Sequence, residues 1–194
     1  MKKILSILIP VMILFSSYAS AEDPLPELKA KSLILMEADT GQILYEKNPD
    51  ERLPIASVTK VMTMLLTMEA IDSGKISEND TVTASERAKS MGGTTMFLEA
   101  GEQISVHDIL KGIAVASAND GAVAIAEHLA GSETAFVEEM NKRAAELKME
   151  NTHFVNTNGL DDDNHYSSAR DVAIMSRELL RHPKIFEYTT IWMD

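Results

Sequence analysis

The sequence contains no cysteine among its 194 residues. Disulfide bonds and thiolate nucleophiles are therefore excluded, and the folded chain must rely on its packed core for stability. Basic residues are also scarce, since 18 Lys and Arg stand against 30 Asp and Glu and give a net charge of −12. Nucleic-acid binding requires a basic surface, and adsorption to anionic lipids requires clustered Lys and Arg. We therefore expect neither kind of partner.

The sequence also lacks an apolar run long enough to span a membrane. Its N-terminal apolar segment, residues 4–15, is shorter than the roughly 20 residues that a membrane-spanning helix needs. Two lysines precede this segment, and small residues follow it at positions 19–21. This order is typical of a signal peptide cleaved after Ala21, with an uncleaved membrane anchor as the alternative. We therefore expect residues 1–21 to be removed on export and residues 22–194 to fold.

Metal-ligating patterns are missing as well. None of the five histidines stands in a spacing such as H-E-x-x-H: His107, His128, His153, His165 and His182. The acidic stretch at residues 161–163 lacks the spacing and terminal Glu of an EF-hand and is interpreted as a solvated turn. The sequence therefore predicts no metal site.

Two short apolar segments predict an antiparallel hairpin. They are residues 32–36 and 43–45, and Gly41 stands between them where a tight turn needs a positive φ. Behind Pro54, apolar residues recur at helical spacing, and Gly74 is placed to end that helix. Beyond this point, the sequence pattern is mostly helical.

Serines in capping positions predict the starts of three further helices, at Ser105, Ser132 and Ser168. The helix after Ser132 is predicted to reach about Met149, and an Ala-rich helix before it closes at Gly131. Two strands, one helix and then a run of helices predict an α+β fold with an all-helical subdomain at about residues 76–182. Because a two-stranded hairpin is marginally stable by itself, more sheet strands are expected after Ile191.

The sharpest candidate site is Ser57-Val58-Thr59-Lys60, an S-x-x-K motif at the start of the first predicted helix. Residues three apart on a helix share a face, so the Ser57 hydroxyl and the Lys60 amine can come within hydrogen-bonding distance. Serine becomes a good nucleophile when a neighbouring base takes its proton, and lysine can be that base only when its pKa is lowered. Alone the motif is weak, because a surface serine and a surface lysine one turn apart fit it equally well.

A second motif, Ser117-Ala118-Asn119, lies in the break between two predicted helices. A hydroxyl at Ser117 can pass a proton between a base and a leaving group. The Asn119 amide can donate to and accept from a peptide-like substrate. In the alternative interpretation, Ser117 or Asn119 simply caps the helix that follows.

Together, S-x-x-K and an S-x-N motif about sixty residues later form the pairing described for active-site serine enzymes that recognise penicillin. At this point the chain resembles the D-alanyl-D-alanine carboxypeptidases of the low-molecular-weight penicillin-binding proteins. The resemblance covers nearly all of residues 22–194. It is carried by four separated stretches in the family's order: residues 53–63, 91–98, 156–160 and 165–171.

The resemblance implies the α+β fold of the DD-peptidase and β-lactamase superfamily, in which an antiparallel sheet is combined with an inserted all-helical subdomain. It implies that Ser57 attacks the penultimate D-alanine of a peptidoglycan stem peptide and releases the terminal D-alanine. Lys60 would act as the base, Ser117 would relay protons, and Asn119 would hold the substrate. β-Lactam antibiotics would acylate Ser57 as inhibitors, and no cofactor or metal would be needed. The enzyme would work outside the cytoplasm, at the cell wall and the outer face of the cytoplasmic membrane.

Two features of the resembled family do not occur in these residues. One is the third motif, Lys-Thr-Gly on a strand that lines the substrate cleft. The other is the C-terminal domain and amphipathic tail by which many relatives associate with the membrane. We therefore expect residues 22–194 to be a partial catalytic domain, truncated before the remaining strands and inactive as it stands. Any membrane association would depend on the missing C-terminal part.

Two other functions stay open. A serine β-lactamase would share Ser57, Lys60 and Ser117, but the E-x-x-x-N spacing common in class A enzymes does not occur downstream of Asn119. A non-catalytic protein that binds peptidoglycan or penicillin would need no activated nucleophile. The presence of both Ser57 and Lys60 therefore counts against it.

Overall fold

A computed structural model describes residues 28–192, and the part of the chain from Lys31 onward forms one compact unit. The expected signal peptide, residues 1–21, lies outside the described residues. Of the region after Ile191, where further strands are expected, the structure describes only Trp192. No described helix is long and apolar enough to cross a bilayer. The division between a sheet and a helical subdomain at about residues 76–182 stays a prediction.

The predicted hairpin is confirmed as two antiparallel strands, β1 (Leu33–Met36) and β2 (Ile43–Lys47). Gly41 in the connecting turn has φ +76°, a conformation that glycine adopts without steric cost. Arg177 holds the turn from the helical side, because its guanidinium donates to the carbonyls of Ala38 and Asp39, both at 2.7 Å. The hairpin is thereby fixed to the body of the protein.

The first predicted helix begins later than its apolar pattern suggests. Ala56–Thr59 form a 3₁₀ turn, and the α-helix α1 (Lys60–Asp72) follows it directly. Helix α1 is buried on several sides and packs against three of the later helices, which makes it the centre of the core. Gly74 follows it with φ +72°. The candidate nucleophile therefore lies in the tight turn that enters the central helix.

Two short strands after α1 were not foreseen. They are β3 (Thr81–Thr83) and β4 (Gln103–Ser105), which pair antiparallel and leave Val82 buried. Between them lies a one-turn helix, α2 (Glu86–Lys89). Strands of three residues are too short to show the alternation by which a strand is recognised in a sequence.

The remaining elements are helical: α3 (Val106–Ala116), α4 (Asn119–Ala130), α5 (Glu133–Glu146), α6 (Ala169–Leu179), a 3₁₀ turn (Pro183–Ile185) and α7 (Phe186–Thr189). The three predicted serine caps are confirmed, since Ser105, Ser132 and Ser168 each accept a hydrogen bond from the backbone amide three residues later. Helix α5 ends at Glu146, short of the predicted Met149; beyond it, Lys148 adopts φ +60° and Met149 is buried in the core.

Candidate active site

Ser57 lies in the 3₁₀ turn with its side chain exposed to solvent, while Thr59 at the end of the turn is buried. The segment that leads into the turn is anchored by Leu53, which exchanges two backbone hydrogen bonds with Ser167, at 2.8 and 3.0 Å. Ala56, directly before the serine, has φ +44°, which is uncommon for a residue with a Cβ. A fixed backbone thus presents an accessible hydroxyl.

Lys60 begins helix α1 and is only 3% exposed. Its Nζ lies 3.2 Å from Ser57 Oγ and donates a second hydrogen bond, 2.8 Å long, to the carbonyl of Asn158. Burial lowers the pKa of the Lys60 amine to about 8 from its usual 10.5, since the charged form loses hydration. Neither a surface lysine nor an ion-paired one fits these observations, because no described carboxyl group is hydrogen bonded to this amine.

The carbonyl that accepts from Lys60 belongs to a hydrogen-bonded turn at residues 156–159. The Asn156 side-chain oxygen accepts from the amides of Asn158 and Gly159, at 3.3 and 2.7 Å. One residue earlier, the Thr157 carbonyl accepts from Thr63 Oγ1 of helix α1 at 2.7 Å. Sequence reasoning assigned Asn158 no role, because a backbone carbonyl leaves no signature in the side-chain pattern.

Ser117 and Asn119 occupy the junction of α3 and α4. Ser117 is half-buried and ends α3 in the left-handed conformation, with φ +57°. Helix α4 has Ala118 as its N-cap and no side-chain capping bond, so the interpretation that Ser117 or Asn119 caps the helix that follows is wrong. Within residues 28–192, no hydrogen bond joins either side chain directly to Ser57 or Lys60.

The Asn119 side chain is buried and holds a neighbouring loop. Its Nδ2 donates to the Gly92 carbonyl at 2.7 Å, and its backbone amide donates to the Thr94 carbonyl at 2.8 Å. Asn158 Nδ2 reaches the same loop, 3.4 Å from Met91 Sδ. Residues 91–94 therefore connect the surroundings of Lys60 with the S-x-N motif.

His165 supports the nucleophile turn from behind. Its Nε2 lies 2.6 Å from Thr59 Oγ1, and its Nδ1 accepts from the Val155 amide at 3.2 Å. This arrangement assigns the ring proton to Nε2 in the neutral form. Burial lowers the pKa of His165, which favours that neutral form. The sequence places His165 among possible metal ligands and in the stretch 165–171, but it does not indicate this contact, which joins residues 106 positions apart.

No group of three or more metal-ligating side chains comes together in the described part of the chain.

A family model described as D-alanyl-D-alanine carboxypeptidase, peptidase S11, matches residues 18–193. The chain belongs to this family. It is 52% identical to the D-alanyl-D-alanine carboxypeptidase DacF of Bacillus subtilis, an alignment that covers 100% of this chain and 52% of the relative. It is 41% identical to DacA of Escherichia coli K12 over 80% of this chain and 40% of the relative. The chain thus spans about half the length, or less, of these curated carboxypeptidases.

Solved structures agree with the expected DD-peptidase fold. Penicillin-binding protein 5 from Haemophilus influenzae matches with a TM-score of 0.81 and 40% identity, over 84% of this chain and 49% of that one. Penicillin-binding protein D2 from Listeria monocytogenes, determined in an ampicillin-bound form, matches with a TM-score of 0.76 and 31% identity, over 87% and 69% of the two chains. The predicted α+β fold of this carboxypeptidase family is confirmed over the matched residues.

Proposed function

We propose that the protein is a serine-type D-Ala-D-Ala carboxypeptidase that works through an acyl-enzyme on Ser57. The observation that carries the proposal is the pairing of an exposed hydroxyl with a buried amine 3.2 Å away, whose pKa burial lowers to about 8. Serine activation requires a base within hydrogen-bonding distance of the hydroxyl, and Lys60 meets this requirement. The family of carboxypeptidases to which the chain belongs supports the choice of substrate.

In the first step, neutral Lys60 takes the Ser57 proton while Ser57 Oγ bonds to the carbonyl carbon of the penultimate D-alanine. The peptide C–N bond then breaks, and the terminal D-alanine leaves with a proton on its amine. In the second step, water attacks the ester, Ser57 regains its proton, and the shortened stem peptide is released. The Asn158 carbonyl accepts a hydrogen bond from Lys60 Nζ in either protonation state, so it keeps the amine in place throughout.

Ser117 and Asn119 have supporting roles in this proposal. Ser117, in a left-handed conformation at the end of α3, passes the proton from Lys60 to the leaving amine. The Asn119 side-chain nitrogen already donates to Gly92, whereas its oxygen makes no hydrogen bond to another described residue. That oxygen is therefore the atom that accepts from a backbone amide of the stem peptide.

β-Lactams would acylate the same hydroxyl, since a relative of 31% identity has been determined with ampicillin bound. We further propose that the protein is exported by its N-terminal segment and acts on peptidoglycan at the outer face of the cytoplasmic membrane. The sequence order of lysines, apolar run and small residues before position 22 supports export.

The test is the intact mass of the purified chain after incubation with benzylpenicillin, beside Ser57→Ala and Lys60→Ala. We expect one penicilloyl adduct on the wild type and none on either variant, with unchanged far-UV circular dichroism. A synthetic stem peptide ending in D-Ala-D-Ala then tests the substrate by release of free D-alanine. Such turnover is not expected of residues 22–194 alone, since they lack the Lys-Thr-Gly motif of the family. A folded wild-type chain without an adduct contradicts the proposal for this chain, and an adduct that persists in Ser57→Ala contradicts the choice of nucleophile. Rapid turnover of a chromogenic cephalosporin would identify a β-lactamase instead.

A further inference from the structure

We propose that Asp120 is a positioning residue that fixes the loop of residues 91–98 beside Asn119 and thereby displays Phe97 as an apolar contact for the bound ligand. We call residues 91–98 the site loop. The inference rests on the proposed function, because the ligand is the acyl donor that reaches Ser57. It extends that function by naming a contact that neither sequence motif contains.

Asp120 directly follows the S-x-N motif and is only 1% exposed. Its side chain accepts hydrogen bonds from backbone amides of the site loop: from Met96 at 3.0 and 3.1 Å and from Leu98 at 3.0 Å. The Gly121 amide donates to the same carboxyl group at 2.8 Å. A buried polar group that gathers several backbone donors orders the segment that carries them, because each unpaired amide would lose its hydration without replacement.

Phe97 stands between the two amides that Asp120 holds. Its side chain is 86% exposed, and its backbone has φ +61°. A bulky residue seldom adopts a positive φ. Burial of a large apolar side chain is favourable, so leaving the Phe97 side chain exposed is costly. Phe97 thus combines an unfavourable backbone conformation with an exposed apolar side chain, while Asp120 holds the backbone amides of the residues on each side of it. This combination differs from an apolar residue left exposed by chance on a regular helix or strand.

Phe97 belongs to a loop that contacts residues around both candidate motifs. Phe97 lines a cavity of about 350 Å³ together with Met91, Gly93 and Asp120. Met91 Sδ lies 3.4 Å from Asn158 Nδ2, and the Asn158 carbonyl accepts from the candidate base Lys60. The carbonyls of Gly92 and Thr94 in the same loop are bound by Asn119. The site loop thus contacts both Asn158, which holds the candidate base, and Asn119. In the proposal, an apolar group of the ligand binds against Phe97 while the ligand's carbonyl reacts with Ser57.

The first test measures the order of the site loop and does not depend on acylation of Ser57. Asp120→Asn keeps the shape of the side chain but replaces one acceptor oxygen by an NH₂ group. We expect hydrogen exchange at the Met96 and Leu98 amides to become about tenfold faster or more, since two donors lose part of their acceptor. Asp171→Asn is the matched control, because Asp171 is equally buried and accepts from the Asn151 amide at 2.8 Å. Unchanged exchange at Met96 and Leu98 in Asp120→Asn overturns the positioning role.

The second test separates a ligand contact from a structural effect. Acylation rates are measured with benzylpenicillin and with 6-aminopenicillanic acid, which lacks the apolar side chain. In Phe97→Ala we expect benzylpenicillin to react about five- to tenfold more slowly and 6-aminopenicillanic acid to react at the wild-type rate. Phe97→Leu should recover part of the loss, and Asp120→Asn should shift the ratio of the two rates in the same direction. Asp171→Asn should leave the ratio unchanged.

The outcomes distinguish this inference from the proposed function. Equal rates of wild type and Phe97→Ala with both compounds overturn the contact while leaving the Ser57 acyl-enzyme intact. No Ser57-dependent adduct in the wild type overturns the proposed function together with the ligand contact. In that case the exchange experiment still decides whether Asp120 positions the site loop.

Discussion

Gly159 lies so close to Ala56 that a Cβ at position 159 would stand 1.8 Å from the Ala56 carbonyl oxygen. The contact brings the turn that carries Ser57 against the turn whose Asn158 carbonyl receives Lys60. Gly159 also has φ +88°, so two independent reasons require glycine. The distance between nucleophile and base thus depends on a close approach of two backbones.

Replacement of Gly159 by alanine should therefore damage both stability and the site. We expect Gly159→Ala to lower the free energy of unfolding by at least about 2 kcal/mol, because overpacking against backbone adds to the strain of a positive φ. Urea denaturation measures this, and acylation of Ser57 should slow in parallel. Gly74→Ala is the control, since Gly74 has φ +72° but nothing near its missing Cβ. Equal losses in the two variants would show that the Ala56 contact has no effect of its own.

The lowered pKa of Lys60 predicts the pH dependence of acylation. Below about pH 8 the amine is mostly protonated and cannot take the Ser57 proton, whereas above it the neutral base dominates. The rate of penicilloyl adduct formation should therefore rise with pH and level off above a midpoint near 8. Rapid-quench mass spectrometry from pH 6 to 9.5 measures the profile. A rate independent of pH over this range would argue against Lys60 as the base.

Gly93 in the site loop approaches Asn119 in a similar way. A Cβ at Gly93 would lie 2.8 Å from Asn119 Nδ2, and its φ is +78°. We expect Gly93→Ala to displace the Asn119 amide and to slow acylation about tenfold or more, since the substrate contact would be misplaced. The comparison is Gly101→Ala, at φ +82° with open space around the missing Cβ. Similar acylation rates in both variants would contradict a role for the contact between the loop and Asn119.

His165 predicts how stability responds to mild acid. Burial lowers its pKa in the folded state below the usual 6.5, so the unfolded chain binds a proton there first. Stability from this group is fully present above pH 6.5 and is lost as the pH falls through the folded-state pKa. Urea denaturation at pH 7.5 and at pH 5.5 should show a decrease in the wild type that His165→Gln reduces. His128→Gln, a change at an exposed histidine, should retain the wild-type decrease. An unchanged decrease in His165→Gln would exclude His165 as its source.

Local chemistry explains which elements could be predicted from the sequence. Hairpin β1–β2 has apolar strands around a glycine turn, and three helices begin at serine caps that act over only three residues. The pair β3–β4 was missed, because its strands are three residues long and are joined by an intervening helix. At Ser57 the sequence predicts α-helix where the structure has a 3₁₀ turn, since apolar spacing does not distinguish the two over a single turn.

For the candidate site, the sequence by itself determined the residue types and their spacing. Ser57 and Lys60 are one helical turn apart, so any helical conformation brings hydroxyl and amine together. Asn119 and Ser117 follow in a break between two helices that the apolar pattern reveals. The S-x-x-K and S-x-N pairing also determined the family resemblance, which the matched carboxypeptidases support.

Only the tertiary structure decided the environment of these residues. The burial of Lys60, the carbonyl of Asn158 that holds it, and the support of Thr59 by His165 depend on contacts between residues about a hundred positions apart. Asp120 holds the site loop through backbone amides, which every residue except proline has, so the sequence gives no sign of this contact. The pKa of Lys60 and the conformation of the site loop both depend on the atoms that surround them. Those neighbours come from distant parts of the chain, so only the tertiary structure determines them.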